Sequence, residues 1–309
     1  MILVAGSANL DFVVRAPRIP GPGETVLGRD FKTFPGGKGA NQAVACARAG
    51  AAPTRMLLAL GADAYAEPLE RSLRDAGVVL GLVRTAHPTG TAFICVSDDA
   101  ENAITVAPGA NQCLLPAHLP SLNGVSYLLL QLEIPLATVT AYAQAARAQG
   151  VCVVLNAAPA QNLPKALLAA LDMLIVNQGE LATLAGHAGT VLQCLERLQV
   201  PTVVVTLGRR GAVARHHGAL FWQPAYCVSP VDTTGAGDTF CGALVAALSQ
   251  GAGMSQALRL ASAAGALACT RLGAQSSIPQ AFEVADFLAR QPVPSAAELD
   301  ALRQFCGQT

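Results

Sequence analysis

The sequence lacks the features that mark several broad classes of protein. Its 309 residues carry a formal net charge of zero and only 13% charged residues, so nothing in the charge favours binding to nucleic acid or to an anionic membrane. No apolar run reaches the ~18 residues of a membrane span, and the N-terminal residues lack the positive region of a signal peptide. We therefore expect a cytoplasmic protein with neither a nucleic-acid nor a membrane partner.

The nine cysteines show none of the spacings of a disulfide framework or a metal site. No two form a Cys-x-x-Cys pair, their number is odd, and most stand among apolar neighbours, as Cys152 does. The five histidines show no ligand spacing either. We interpret the cysteines as small buried side chains of a protein in a reducing compartment.

What the sequence has in abundance is apolar residues, at 52% of the chain, together with 29 glycines. This length suits one large α/β domain or two small ones. Apolar runs predict strands, and helical patterns follow several of them. The predicted strands are 2–5, 56–60, 126–130, 151–155, 173–176 and 202–206, and the predicted helices include 41–50, 66–76 and 136–149. Apolar strands that alternate with helices indicate a parallel sheet covered on both faces.

Two stretches interrupt this alternation. Residues 12–34 are rich in proline and glycine, with short alternating runs such as 25–28, and residues 91–106 have the pattern of a β-hairpin with a turn at 98–102. Neither stretch can form a crossover helix. We expect them to form a small antiparallel sheet beside the main one, where a β flap could serve as a lid over a site.

The most informative motif is Asp232-Thr-Thr-Gly-Ala-Gly-Asp238, directly before an apolar helical stretch. A Gly-Ala-Gly turn that opens a helix leaves backbone N–H groups free to bind an anion. A carboxylate in the first helical turn could then act as a base, which is the equipment of phosphoryl transfer to an alcohol. Taken alone, the motif fits equally well an aspartate that only interacts favourably with the helix dipole.

A second glycine motif, Phe34-Pro-Gly-Gly-Lys-Gly-Ala-Asn-Gln-Ala43, precedes the first predicted helix. It is not a Walker A loop, because Lys32 and Gly39 stand where that loop needs glycine and serine or threonine. The dinucleotide fingerprint G-x-G-x-x-G is also absent after the first strand. Small residues allow close approach to a ligand, and Lys38 and Asn41 could bind hydroxyl groups. A tight turn with a surface lysine would explain the same pattern.

The two motifs stand in the order and spacing of a known family. Four further segments between them keep the same order and spacing: Gln131-Leu-Glu133, Asn156-Ala-Ala-Pro-Ala160, Asn177-Gln-Gly-Glu180 and Thr206-Leu-Gly-Arg-Arg-Gly211. The chain resembles, over essentially its whole length, the ribokinase family of carbohydrate kinases, which also includes adenosine kinase and fructokinases. The resemblance implies a three-layer α/β fold with a mostly parallel central sheet and a small antiparallel β lid. It implies one catalytic domain over residues 1–309, with lid segments at about 12–34 and 91–106.

The resemblance also implies roles for individual residues. Asp238 would be the base that takes the proton of the sugar hydroxyl, and the anion hole would comprise Gly235, Ala236 and Gly237. The positions that match the family's sugar site are Asn9, Asp11, Gly37, Lys38, Asn41, Glu133 and Asp238. The positions that match its ATP site are Asn177, Thr206, Gly208, Gly211, Gly237 and Ser262.

Two metal ions are implied in the same way. Glu180 would bind Mg²⁺, largely through water, although Asn177-Gln-Gly-Glu180 departs from the family pattern in its middle residues. A K⁺ activator would be held by oxygen atoms of six residues, several through backbone carbonyls: Asp232, Thr234, Ala268, Arg271, Gly273 and Ser277.

The function that the resemblance implies is ATP-dependent phosphorylation of D-ribose at O5 by a homodimer that pairs through its lids. The same chemistry on deoxyribose or on a nucleoside such as pseudouridine stays open, because lid residues near Ala92, Ile94 and Ala107 could change the preference. A non-catalytic sugar-binding protein on the same fold is a second alternative. A nicotinamide-dependent oxidoreductase is disfavoured by the missing fingerprint.

Overall fold

The computed structural model describes residues 1–99, 101–186 and 188–308. In chain order, its strands are β1 (Ile2–Ala5), β2 (Asn9–Ala16), β3 (Arg29–Gly36), β4 (Thr54–Gly61), β5 (Val79–Thr85), β6 (Gly90–Ser97), β7 (Asn102–Ala107), β8 (Tyr127–Leu130), β9 (Cys152–Asn156), β10 (Met173–Asn177), β11 (Thr202–Thr206), β12 (Gly211–His216) and β13 (Ala219–Pro224). Its α-helices are α1 (Lys38–Arg48), α2 (Ala66–Asp75), α3 (Leu136–Ala148), α4 (Lys165–Ala170), α5 (Gln178–Ala185), α6 (Val191–Arg197), α7 (Ala236–Ser249), α8 (Met254–Ala268), α9 (Ala281–Ala289) and α10 (Ala296–Cys306).

Among the described residues, nine strands form one large sheet in the order β13-β12-β11-β10-β9-β8-β1-β4-β5. The strands from β11 to β5 pair in parallel, and β12 and β13 extend the sheet in antiparallel pairing. All six strands predicted from the sequence lie in the parallel part. The α/β prediction is therefore confirmed.

Helices cover both faces of this sheet and make three layers. Successive residues of a strand point to opposite faces, so Ile2 and Val4 pack into one core while Leu3 and Ala5 pack into the other. The first core is completed by α1, α2, α7, α8 and α9. The second is completed by α3, α4, α5, α6 and α10.

A second sheet of four described strands has the order β3-β2-β6-β7. Its two hairpins are antiparallel, and a parallel pair, β2 and β6, joins them. The hairpin predicted over 91–106 is present as β6 and β7, but its turn contains Ala100, which lies outside the described residues. The run 25–28 is not a strand, since β3 begins only at Arg29.

Two glycines with positive φ start the helices that carry the sequence motifs. Gly37 has φ 88° and α1 begins immediately after it, so Lys38 lies in the helix and not in a preceding turn. Gly235 has φ 73° and stands at the N-cap of α7. The two helices then pack closely, because a Cβ at Gly242 would lie only 2.5 Å from the Cβ of Ala45. This contact brings the two motifs together.

The sheet topology has a switch point at β1. From β1 the chain first adds β4 and β5 on one side, and later adds β8, β9, β10 and β11 on the other. Ligands of open α/β sheets bind outside the carboxyl ends of the strands at such a point. The segments that follow β1 and β8, residues 6–9 and 131–133, meet there. No helix in the described part of the chain combines the length and apolar character that a membrane crossing requires.

Candidate active site

The N-terminus of α7 presents an acid beside an open space. Asp238 is the third residue of the helix and is only 8% exposed. A Cβ added at Gly237 would meet no atom within 4 Å. Backbone N–H groups at a helix start carry partial positive charge and have no partner within the helix. The arrangement can therefore hold an anion in front of Gly237, next to the carboxylate of Asp238.

Both oxygens of the Asp238 carboxylate accept hydrogen bonds from α1. Asn41 Nδ2 donates to Oδ2 at 2.9 Å, and Gln42 Nε2 donates to Oδ1 at 2.9 Å. Asn41 Oδ1, by contrast, is buried without a partner among the described residues. An unsatisfied buried acceptor costs about 1–3 kcal/mol, so a ligand hydroxyl that donates to Asn41 would relieve that cost.

The sequence-predicted sugar positions lie around this acid. Asn9, Asp11 and Asn41 are all buried polar residues. The Asp11 carboxylate packs so closely on Gly36 that a Cβ there would lie 2.1 Å from Asp11 Oδ2. A Cβ at Gly37 would lie 2.7 Å from the backbone N of Asn9. The glycine pair therefore lets backbone approach where side chains could not fit.

Glu133 lies in the same group. Its Oε2 accepts hydrogen bonds from Ser7 Oγ at 2.5 Å and from the backbone N–H of Lys38 at 3.1 Å. Ser7 Oγ in turn accepts from the backbone N–H of Gly39 at 3.3 Å. The segment after β1, the segment after β8 and the start of α1 are thus joined at one carboxylate.

The charges of the group shift the pKa of several members. Burial, and then the charges of Glu133 and Asp238, raise the pKa of Asp11 to about 7. The negative charge of Asp238, and to a smaller extent those of Glu133 and Glu180, raises the pKa of Lys38 in spite of its burial. Lys38 therefore stays protonated and provides the positive charge in a group of carboxylates.

The predicted ATP positions occupy the carboxyl ends of the neighbouring strands. Asn177 and Thr206 are the last residues of β10 and β11 and lie directly opposite each other. Gly208 and Gly211 have φ of 56° and 112° in the turn that follows. Ser262 belongs to α8, and its hydroxyl is buried with no hydrogen-bond partner among the described residues. A ligand donor or acceptor could satisfy that hydroxyl.

The predicted Mg²⁺ position forms the start of α5. Asn177 Oδ1 accepts from the backbone N–H of Glu180, and Glu180 Oε2 accepts from that of Asn177, each at 2.8 Å. This capping box holds the Glu180 side chain in place. Burial raises the pKa of Glu180, while the hydrogen bond from Asn177 opposes the shift. One carboxylate oxygen remains for an ion or its water.

The predicted K⁺ residues belong to two segments that Asp232 joins. Its Oδ1 accepts from the N–H of Thr234 and its Oδ2 from that of Gly273, each at 2.9 Å. Burial acts to raise the pKa of Asp232, but hydrogen bonds from Thr234 and Gly273 hold that pKa below its usual value. The side chain therefore stays ionised in the neutral range and can balance a cation.

The other K⁺ positions offer backbone oxygens. The Arg271 guanidinium is paired with Glu283, so only the carbonyl of Arg271 could serve as a ligand. The carbonyl of Ala268 accepts from the N–H of Arg271, and the buried hydroxyl of Ser277 donates to the carbonyl of Ala274 at 2.8 Å. Among the described residues, no group of three His, Cys, Asp or Glu side chains suits a metal ion.

Sequence reasoning missed several residues that orient the predicted ones. Gln42 contacts Asp238, Ser7 contacts Glu133, and the buried Asn111 donates to Asn9 Oδ1 at 2.8 Å. Gln42 lies in the quoted glycine motif, next to Asn41. This position beside a predicted sugar-binding residue was the signal from which a role for Gln42 could have been predicted. Asn111 lies in a short 3₁₀ helix, Gly109–Cys113, and its Gly-Ala-Asn sequence repeats that of 39–41, but the repeat alone does not indicate a contact with Asn9.

A cavity of about 530 Å³ lies at the end of the large sheet away from Asp238. It is lined by residues at the amino ends of the parallel strands, including Tyr127, Cys152, Met173 and Thr202. None of the predicted site residues is among them. Ligands of open α/β sheets bind at the carboxyl ends of the strands, so this cavity at the amino ends is separate from the group around Asp238.

Comparison with known proteins agrees with this geometry. The profile of the pfkB family of carbohydrate kinases matches residues 1–281. A ribokinase of Haemophilus influenzae is 37% identical over 300 residues, which cover 93% of this chain and 98% of that protein. A deoxyribokinase of Salmonella typhi is 32% identical over 302 residues, with 93% and 98% covered. The structure of Arabidopsis thaliana ribokinase complexed with ribose and ATP superposes with a TM-score of 0.85 at 33% identity and covers 94% of this chain and 99% of that one.

Proposed function

The chain belongs to the pfkB family of carbohydrate kinases, and we propose that it transfers the γ-phosphoryl group of ATP to O5 of D-ribose. It is a phosphotransferase with an alcohol group as acceptor. The observation that carries the proposal is the 2.9 Å hydrogen bond from Asn41 to Asp238. It joins the sugar-binding motif to the acid at the anion-binding helix start, so one group can hold the alcohol and deprotonate it.

In the proposed reaction, Asp238 accepts the proton of the O5 hydroxyl as O5 forms its bond to the γ-phosphorus. The bond between that phosphorus and the β–γ bridging oxygen breaks, and its electrons leave with ADP. The backbone N–H groups of Gly235 and Gly237 stabilise the charge on the transferred group. The N–H of Ala236 donates to the carbonyl of Thr233 at 3.2 Å and would have to leave it to join them. In a loose transition state the position of the base counts for more than its basicity.

The ribose hydroxyls are bound by a mixed set of donors and acceptors. Lys38 and Asn9 donate, Asp11 and Glu133 accept, and Asn41 Oδ1 is the unpartnered acceptor noted above. Asn111 supports this assignment, because its hydrogen bond occupies Asn9 Oδ1. The amide nitrogen of Asn9 is therefore the group left for the sugar.

ATP binds at the carboxyl ends of β10 and β11. Asn177, Thr206, Gly208 and Gly211 surround its phosphates and ribose, Gly237 faces the γ-phosphoryl group, and Ser262 lies near the adenine. The unpartnered Ser262 hydroxyl and the open space at Gly237 support this placement. Mg²⁺, held by Glu180 through water, would neutralise charge on the phosphates. K⁺, held by Asp232 and backbone oxygens of Thr234, Ala268, Arg271 and Gly273 with Ser277 nearby, would supply positive charge beside the anion hole.

The whole chain is proposed to act as one catalytic domain in the cytoplasm, with the segments 12–34 and 91–106 as its lid. Two copies pair through the second sheet as a homodimer. Apolar side chains on that sheet support the pairing, since Ile104 is 55% and Val106 42% exposed. Large exposed apolar patches on a protein surface mark sites of interaction with other molecules.

The nearest competing function is phosphorylation of 2-deoxyribose, which the resemblance to a deoxyribokinase supports. The test incubates the protein with ATP, Mg²⁺ and K⁺ and a panel of ribose, 2-deoxyribose, fructose and pseudouridine, and follows ADP release. The proposal predicts the highest kcat/KM for ribose. A higher value for another acceptor, or no sugar-dependent release, would contradict it.

A further inference from the structure

We infer that Gln42 is a positioning residue for the Asp238 carboxylate, and that it acts as one link of an amide chain anchored on the main sheet. The inference deepens the proposed function and rests on it. Gln42 is completely buried. Its Nε2 donates both to Asp238 Oδ1 at 2.9 Å and to Asn156 Oδ1 at 3.0 Å. Its Oε1 accepts from Gln131 Nε2 at 2.7 Å.

The orientation of this chain is fixed from its far end. Asn156 Nδ2 donates at 3.1 Å to the backbone carbonyl of Ile175 in β10, and a carbonyl can only accept. Asn156 must therefore turn its Oδ1 towards Gln42. Gln42 must answer with its NH₂ group, because the reverse orientation would place oxygen against oxygen at both Asn156 and Asp238. A backbone carbonyl thus determines which group faces the catalytic carboxylate.

Two consecutive residues of α1 therefore donate hydrogen bonds to the two oxygens of the Asp238 carboxylate. Asn41 holds Oδ2 and Gln42 holds Oδ1. Both hydrogen bonds depend on the close packing of α1 on α7. A Cβ at Gly242 of α7 would lie only 2.6 Å from the carbonyl oxygen of Gln42. Asn41 can also contact the sugar. Gln42 is shielded from any ligand, so its influence on the reaction passes through the geometry of Asp238 alone.

The decisive variant is Gln42→Met, which keeps the length and approximate volume of the side chain but removes the amide. Asp238 then keeps one of its two donors and can rotate about its χ2. We expect kcat to fall about 10²-fold, as for other small displacements of a reacting group. The KM values for ribose and ATP should stay within a factor of about 3, because the ground-state contacts are unchanged. Gln42→Glu, which offers acceptors to Asp238, should be at least as impaired.

Tyr142→Phe is the matched control, since it removes a part-buried hydrogen bond from a buried side chain to the carbonyl of Leu115, on the other face of the sheet. It should lower thermal stability without lowering kcat. A Gln42→Met enzyme that is folded and keeps the parental kcat would overturn the inference, whatever its stability. So would an increase in both KM values at constant kcat.

A crystal structure of Gln42→Met provides a readout that does not depend on activity. The inference predicts a rotated or disordered Asp238 carboxylate with α7 unmoved, and an unchanged carboxylate would refute it. The two failures are distinguishable. If the parent enzyme phosphorylates ribose and Gln42→Met is unimpaired, only the positioning role fails. If the parent releases no ADP with ribose, the proposed function fails, and the carboxylate geometry of the variant still decides the positioning role.

Discussion

The proposed sugar site brings three carboxyl groups together, and two of them, those of Glu133 and Asp238, interact with Lys38. Asp11, Glu133 and Asp238 interact closely enough for the charges of the last two to raise the pKa of the first. Lys38 is the compensating charge, and its own pKa rises chiefly because of Asp238. Such an arrangement binds a polyhydroxylated ligand well, because hydroxyl groups can donate to each carboxylate in turn. It also makes binding sensitive to pH.

Asp11 should give ribose phosphorylation an acid limb near neutrality. Its pKa is raised to about 7, so it is mostly protonated at pH 6 and mostly ionised at pH 8. Only the ionised form can accept a hydrogen bond at both oxygens. We therefore predict that kcat/KM for ribose, which reports groups of the free enzyme, falls as the pH drops below about 7.

Asp11→Asn should remove that limb and lower kcat/KM at pH 8 by about 10- to 100-fold, since a hydrogen bond to a charged group is lost. The exposed Asp300→Asn serves as the control and should follow the parental profile. The assignment would be wrong if the limb near pH 7 persisted in Asp11→Asn.

The roles proposed for single residues could be predicted only where a motif carried them. Asp238 and Lys38 stand in glycine motifs whose residue types and spacing indicate anion binding and hydroxyl binding. Ser7 and Asn111 orient their partners from positions 126 and 102 residues away in the sequence. Such contacts depend on the three-dimensional fold, and no local pattern records them.

Between elements, the most consequential link is Asp232. It joins the segment before α7 to the segment after α8 through hydrogen bonds to Thr234 and Gly273. An asparagine at this position could accept only one of the two bonds and would turn its NH₂ group towards the other N–H. The proposed K⁺ site would lose both its charge and its shape.

We predict that the parent enzyme is activated by K⁺ and not by Na⁺, and that Asp232→Asn needs at least about 10-fold more K⁺ for half-activation. Initial rates are measured against K⁺ concentration at constant ionic strength. Asp286→Asn, an exposed change on α9, should keep the parental response. Equal parental rates in K⁺ and Na⁺ would exclude the site.

The second sheet carries apolar side chains on both faces, with Phe12, Phe31 and Phe93 stacked on one of them, and the other face continues from the proposed sugar site. Asp11 pairs across the strands with Ala92, and Ala92 pairs with Val106, so the three side chains share a face. Ile94 and Ile104 pair on that same face two residues further along. A second copy of the chain that covers this second face would bury its exposed apolar side chains and would also close the proposed sugar site.

Ile104→Lys should therefore dissociate the proposed dimer and raise the KM for ribose, because burying an unpaired ammonium is costly. Thr105→Lys places the same charge on the opposite face of β7 and should leave the dimer intact. Molar mass from light scattering at several concentrations distinguishes the two. A monomeric parent, or an Ile104→Lys variant with parental mass, would contradict the proposed pairing.

The elements themselves were predictable to different degrees. The six central strands are apolar on both faces, and that pattern identified them. β5 was not predicted, because it lies at the sheet edge with Val79 61% exposed and a glycine in its middle. The start of α1 was placed three residues late, because the positive φ of Gly37 cannot be read from composition alone.

For the molecule as a whole, the α/β class followed from the alternation of strands and helices, but the strand order did not. β1 pairs in parallel with β4 on one side and with β8, far along the chain, on the other, and the switch point at β1 depends on that long-range arrangement. The switch point in turn brings the two glycine motifs to one crevice. The resemblance of sequence motifs anticipated this meeting, which local physical patterns could not.

We propose that this assembled crevice phosphorylates ribose at O5 with Asp238 as the base. The most direct test follows ¹³C NMR of ribose labelled at C5, incubated with ATP, Mg²⁺, K⁺ and either the parent enzyme or Asp238→Asn. We predict that the C5 signal of the parental reaction acquires coupling to phosphorus. The variant should turn over about 10²- to 10⁴-fold more slowly while still binding ribose. Phosphate on any other oxygen, or a parental rate in Asp238→Asn, would contradict the account.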